Sequence, residues 1–282
     1  MYIKLTSKGL SLNSKKVRIP TGKGSVPALV LTPLNPKPNA PGVLWIHGGG
    51  HITGMKEMVY MSRAVEMVEH FGAVVVAPGY RLAWTAPYPN GLLDCYASLL
   101  WLRDHAEELG INPSQIFVGG ESAGGGLAIA TCLVVRDKGE VNVAFQVPLY
   151  PMIDNLDTSS SRDNHNKVWN TRRNHFAWRV YLRKDAKAED VSPYAAPARA
   201  TNYAGLPPAY TFVCTDEPFY NETVSYIDAL REAGVRADID IYEGLYHAFD
   251  MLDPHTPESK LAIERFNEHF AWAIENCFAE QP

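Results

Sequence analysis

The chain has 282 residues, 46% hydrophobic and 20% charged, so it can bury a full core without disulfides or metals. A formal net charge of −5 and a pI near 6.0 exclude the basic footprint of a nucleic-acid binder and give no pull toward an anionic membrane. The basic amino-terminal stretch lacks an apolar core, and the longest nearly apolar run, Gly124 to Val135, is shorter than the ~20 residues that cross a bilayer, so neither a secretory signal nor a membrane span is expected.

In chain order, Val17–Pro20 and Ala28–Thr32 read as strands that precede any helix, and so as an antiparallel edge. Val43–His47 is a compact apolar strand that runs directly into His47-Gly48-Gly49-Gly50. Backbone N–H groups stabilise an oxyanion only where no side chain blocks approach, and consecutive glycines supply that access. His47 and His51 are four apart but lie in a glycine loop rather than on a helix face, so a zinc pair is not expected. His47 should anchor the loop by hydrogen bonds, while His51 can line the pocket or sit on the surface.

A helix is predicted over Glu57–Phe71 with Gly72 as its stop, then a strand at Ala73–Ala77 and a helix over Leu92–Leu109 ending at Gly110. The strand Gln115–Gly119 leads into Gly120-Glu121-Ser122-Ala123-Gly124, and a helix runs on from Ser122 to Lys138 before Gly139. Strand, G-x-S-x-G turn and helix together form the context in which this motif presents a nucleophilic serine. Ser122 is therefore the candidate nucleophile, and the amide of Ala123 joins those of Gly49 and Gly50 as candidate oxyanion donors.

Three further strands are expected at Ala144–Tyr150, Ala209–Cys214 and Ala237–Tyr242, with a helix over Asn221–Ala233 and a final helix striped by Ile263, Phe266, Phe270 and Ile274. This alternation argues for a mostly parallel sheet of about eight strands between two helical layers. From Asp154 to Tyr203 the rhythm breaks into a polar segment carrying Trp169, Phe176, Trp178 and Tyr181, which reads as a helical cap. The cysteines Cys95, Cys132, Cys214 and Cys277 are scattered without a C-x-x-C pair, which suits buried thiols in a reducing cytoplasm.

A serine hydroxyl needs a neutral imidazole to take its proton and a carboxylate to orient that imidazole. Of nine histidines, His247 lies in a loop just after the last strand, where sheet-edge chemistry is assembled. The acid should follow strand Ala209–Cys214, where Asp216, Glu217 and Glu222 stand. Glu222 suits a helix start, and spacing does not separate Asp216 from Glu217.

Taken together, His47-Gly48-Gly49-Gly50, Tyr80-Arg81-Leu82-Ala83, Gly120-Glu121-Ser122-Ala123-Gly124-Gly125, Tyr150-Pro151-Met152, Gly205-Leu206-Pro207-Pro208 and Tyr246-His247-Ala248-Phe249 resemble the hormone-sensitive-lipase-like, bacterial family IV esterases. The resemblance spans nearly the whole chain from Pro41 onward. It implies an α/β-hydrolase fold and a carboxylesterase that cleaves short- to medium-chain acyl esters of small molecules without a cofactor. The family usually carries aspartate before the proline matched by Pro218, but here that residue is Glu217, which implies a Ser122–His247–Glu217 triad with Asp216 as the alternative acid. The family's larger members have an amino-terminal helical cap. No long helical pattern precedes Pro41, so residues 155–184 are expected to supply the cap on a single domain of residues 1–282. An amide, lactone or carbamate hydrolase using the same triad is the alternative activity, and a non-catalytic binding protein on this fold is a weaker one. A homo-oligomer is left open.

Overall fold

Each apolar, β-branched run expected to be a strand lies in one sheet. The computed structural model describes residues 6–22 and 24–282. The strands are β1 (Leu12–Thr21), β2 (Gly24–Pro33), β3 (Ala40–Ile46), β4 (Val74–Pro78), β5 (Ile111–Glu121), β6 (Phe145–Leu149), β7 (Ala209–Cys214) and β8 (Ala237–Tyr242). Their order is β1-β2-β4-β3-β5-β6-β7-β8, with β1 and β2 forming the expected antiparallel edge and β3 to β8 parallel. The α-helices are α1 (Ala64–Phe71), α2 (Asn90–Asp104), α3 (Ala123–Lys138), α4 (Thr171–Leu182), α5 (Tyr220–Glu232), α6 (Phe249–Leu252) and α7 (Pro257–Asn276).

Alternation along the central strands builds two cores. Val43, Trp45 and Phe117 face a layer that includes Met67 of α1 and Phe266 and Phe270 of α7. Leu44, Ile46 and Val118 face the opposite layer with Leu99 of α2, Leu133 of α3 and Ile227 of α5. A third, smaller apolar cluster joins Trp178 and Tyr181 of α4 to Ile52, Ala123 and Phe219. That cluster ties the excursion between β6 and β7 to the carboxyl edge of the sheet.

Three helix expectations are corrected. The run Glu57–Phe71 splits into a 3-10 helix, Lys56–Met61, and α1, because Ser62 is extended and turns both its amide and its hydroxyl onto the Val59 carbonyl. Helix α2 stops at Asp104 rather than Leu109, and turns continue to Gly110 at φ +70°. In α7 the buried line is Ala262, Phe266, Phe270 and Ala273, spaced four, four and three along one face; Ile263 and Ile274 each sit one residue round from it and are half-exposed. The glycine stops after α1 and α3 stand as read, with Gly72 and Gly139 left-handed at +69° and +67°. Among the described residues no helix is long and apolar enough to cross a membrane, and all four cysteines are free and buried.

Candidate active site

Ser122 sits between the end of β5 and the start of α3 at φ +57°, ψ −122°, a conformation that L residues rarely hold. The surroundings enforce it. Its amide donates to the Leu149 carbonyl (3.0 Å), and its own carbonyl accepts from Gly126 and Met152 (both 3.0 Å). A Cβ at Gly120 would lie 2.3 Å from the Ile46 carbonyl oxygen, and one at Gly124 2.1 Å from the same atom. The turn can therefore press against the end of β3 only because both positions lack side chains.

His247 follows β8, with its imidazole clamped edge-on by Tyr150 and Phe219, each at 5.0 Å between ring centroids. Its Nε2 lies 2.9 Å from Ser122 Oγ, and its Nδ1 hydrogen-bonds Glu217 Oε2. Glu217 is fully buried in the turn after β7 and also accepts the Cys214 amide through Oε1 at 2.9 Å. Asp216 points away and is exposed; its carboxylate accepts from the Thr215 hydroxyl (3.2 Å), while Asn164 and Asn166 hold its carbonyl. Glu222 does not reach His247 either. It is buried behind the site and accepts the amides of Ile153 (2.7 Å) and Asp154 (3.2 Å).

The glycine loop after β3 lies against the serine, since a Cβ at Gly48 would stand 3.3 Å from Ser122 Cβ. Its carbonyls are tied back. His47 Nδ1 donates to the Gly48 carbonyl at 2.8 Å, and the Ile52 amide, Thr53 amide and Thr53 hydroxyl all donate to that of Gly49 at 3.1, 2.9 and 3.0 Å. In a trans peptide the N–H points opposite the preceding C=O. The amides of Gly49 and Gly50 are thereby turned away from these anchors. The Ala123 amide opens α3, where the first N–H groups have no intrahelical acceptor. His47 anchors the loop as expected, stacked on Tyr80 at 4.2 Å, whose hydroxyl donates to the His47 carbonyl (3.0 Å). Burial pushes its pKa down to about 4.

A cavity of about 280 Å³ borders Ser122 and His247, walled by Met58, Met61, Met251, Leu252 and Val168 and roofed by Trp169. Larger grooves of about 660 and 640 Å³ lie elsewhere, against α2 and beyond α4, and hold none of the candidate residues. Under the cavity floor, Glu121 accepts the Trp45 indole N–H (2.9 Å), and burial raises its pKa to about 8. Beside it Asp250 accepts the Tyr150 hydroxyl (3.1 Å) and faces Arg63 at 3.4 Å; burial raises this carboxyl too. This buried acid cluster was not anticipated, because Arg63 and Asp250 look like ordinary surface residues until the chain folds. The described residues bring no three His, Cys, Asp or Glu side chains into one metal-binding group.

Known proteins share this arrangement of strands and turns. A family model for the alpha/beta hydrolase fold matches residues 43–251. Carboxylesterase NlhH of Mycobacterium tuberculosis is 30% identical over 233 residues, covering 81% of this chain and 72% of its own length. The arylesterase of Saccharolobus solfataricus is 30% identical over 211 residues, 73% of this chain and 67% of that protein. Among solved structures, a bacterial heroin esterase superposes with a TM-score of 0.86 at 36% identity, over 96% of this chain and 84% of its own. With fold and sequence shared over this much of the chain, it belongs to the α/β-hydrolase family, in the hormone-sensitive-lipase-like, bacterial family IV branch.

Proposed function

We propose that the protein is a serine carboxylesterase that hydrolyses small, uncharged esters of short to medium acyl length. One observation carries the reading: a buried imidazole that bridges Ser122 Oγ at 2.9 Å and the Glu217 carboxylate beside an apolar cavity. His247 takes the serine proton as Oγ attacks the ester carbonyl, and Glu217 holds the ring in the tautomer with Nε2 free to accept. The amides of Gly49, Gly50 and Ala123 stabilise the oxyanion. His247 then protonates the departing alcohol, and water, deprotonated by the same ring, releases the acid from the acyl-enzyme. No cofactor enters these steps.

Residues 155–184 act as the cap of a single hydrolase domain, and Trp169 closes the cavity over the triad. Most of the cavity wall away from Ser122, Glu121 and His247 is apolar, which favours neutral acyl chains over charged ones. The four free thiols suit a reducing compartment such as the cytoplasm. The test is hydrolysis of p-nitrophenyl butyrate together with fluorophosphonate labelling. Turnover that disappears with labelling of Ser122 is expected; turnover that survives complete labelling would refute the reading.

A further inference from the structure

Behind the glycine loop, His51 combines features that are costly separately and rarer together. Its ring is buried, 4% exposed, yet among the described residues neither Nδ1 nor Nε2 has a hydrogen-bond partner. Its backbone sits at φ +63°, in the left-handed region that disfavours side chains. Burial drives its pKa down to about 3, so the ring is neutral at ordinary pH. What such a ring contributes here is its flat shape. The imidazole lies flat on the Tyr181 ring of α4, 3.9 Å between centroids at 9°, with Trp178 tilted beside it at 5.9 Å.

The same helix and Trp169 just before it reach the loop by other contacts. A Cβ at Gly50 would fall 2.3 Å from Trp169 Cη2 and 3.3 Å from the Ala177 Cβ, so both groups rest on that glycine. The His51 carbonyl accepts the Ala83 amide at 2.8 Å. Arg183, at the end of α4, donates to the carbonyls of Ala83 (3.1 Å) and Trp84 (3.0 Å), and the Tyr181 carbonyl accepts the Tyr88 amide (3.0 Å). Helix, glycine loop and the 80–88 segment are thus joined on three sides.

We propose that α4 is a fixed brace rather than a moving lid, and that the His51–Tyr181 stack is the joint through which it aims the Gly49 and Gly50 amides at the oxyanion. Both are positioning residues, and the proposal rests on the reading of those amides as oxyanion donors. Loss of a donor costs about 10²–10³ in turnover, and a donor misaimed by a lost plate should cost less, about 10- to 100-fold.

The experiment compares His51→Ala, His51→Phe, Tyr181→Leu and Tyr181→Phe for p-nitrophenyl butyrate kinetics and inhibition by a trifluoromethyl ketone, which places an oxyanion on Ser122. The two disruptive variants are expected to lower kcat about 10- to 100-fold with KM within about threefold, and to weaken the ketone in parallel. Both aromatic replacements should restore kcat to within about threefold, because a flat ring is what the joint needs. Wild-type kcat and ketone affinity in a folded His51→Ala or Tyr181→Leu protein would overturn the brace, as would failure of His51→Phe to rescue. If His51→Ala does not fold, Tyr181→Leu decides. Wild-type protein that neither turns over the ester nor takes a fluorophosphonate would instead remove the esterase reading on which the brace depends.

Discussion

The two sides of the cavity are held in place by different means. Ser122, Glu217 and His247 hang from the carboxyl ends of β5, β7 and β8, and the parallel ladder fixes where each strand stops. The roof arrives on the long excursion between β6 and β7, which is stitched by side chains. Asn170 caps α4 through the Arg173 amide (3.1 Å), and Thr171 binds the Ser161 carbonyl (2.7 Å). Glu222 carries the stretch that leaves β6, and Asp154 pairs with Arg199 at 2.6 Å. Backbone ladders tolerate most side-chain changes, whereas a side-chain network loses a strut with each substitution. Sheet-edge substitutions should therefore alter chemistry with the fold intact, and changes in the struts should alter stability.

The largest expected effect is at the serine. Ser122→Ala should lower kcat by about 10⁴-fold or more while the melting temperature stays within a few degrees of wild type. A large loss of stability would mean that the serine, like the struts, is part of the framework. Glu217→Gln should cost about 10³–10⁴ in kcat, since the amide no longer stabilises the imidazolium, and Asp216→Asn should stay within about threefold. The reverse order in steady-state kinetics would reassign the acid.

Among the struts, Glu222→Ala leaves two buried amides without an acceptor and should cost about 2–4 kcal/mol in urea unfolding. Glu222→Gln keeps an acceptor and should cost about 1 kcal/mol or less. Burial raises the Glu222 pKa above 4.5, so the folded protein holds this proton where the unfolded chain has released it. Its stabilising contribution is greatest at low pH and declines as pH rises above 4.5. The decline should be shallower in Glu222→Gln than in the wild type, since Glu121 and Asp250, whose pKa values are also raised by burial, still contribute to it.

The smallest effects are slopes with pH, and they carry opposite signs. The Glu121 pKa rises to about 8, so between pH 4.5 and 8 this group makes stability fall as pH rises. The pKa of His51 falls to about 3, so between pH 6.5 and 3 the unfolded chain binds the extra proton, and stability falls as pH drops. Glu121→Gln should make the fall toward higher pH shallower, and His51→Phe the fall toward acid, where His47, with its pKa pushed down to about 4, still contributes. A wild-type slope retained on the acid side in His51→Phe would show that His51 is not buried as a neutral ring.

Much of the site could be read locally. Gly120 and Gly124 are demanded by the close approach of the turn to Ile46, and the histidine after the last strand is where sheet-edge chemistry has to gather. The acid was half legible: spacing left Asp216 and Glu217 level, and the family resemblance pointed to Glu217. Both lie in one short turn, and only the direction in which that turn enters the core separates an exposed carboxylate from a buried one. His51 could not be placed, because its burial depends on Tyr181 far along the chain. The aromatic content of Trp169–Tyr181 did signal a buried helix, although not that Trp169 would rest on Gly50.

Sequence alone determined the order of strands and helices, the glycine positions and the serine turn, because periodicity and backbone conformation are properties of neighbouring residues. Tertiary structure decided that Glu217 and not Asp216 turns in to His247, that Glu121 and Asp250 lie buried beside Arg63, and that His51 stacks on Tyr181. The physical reason is that burial and hydrogen-bond partnership are set by residues distant in the chain, and no local pattern encodes who those partners will be.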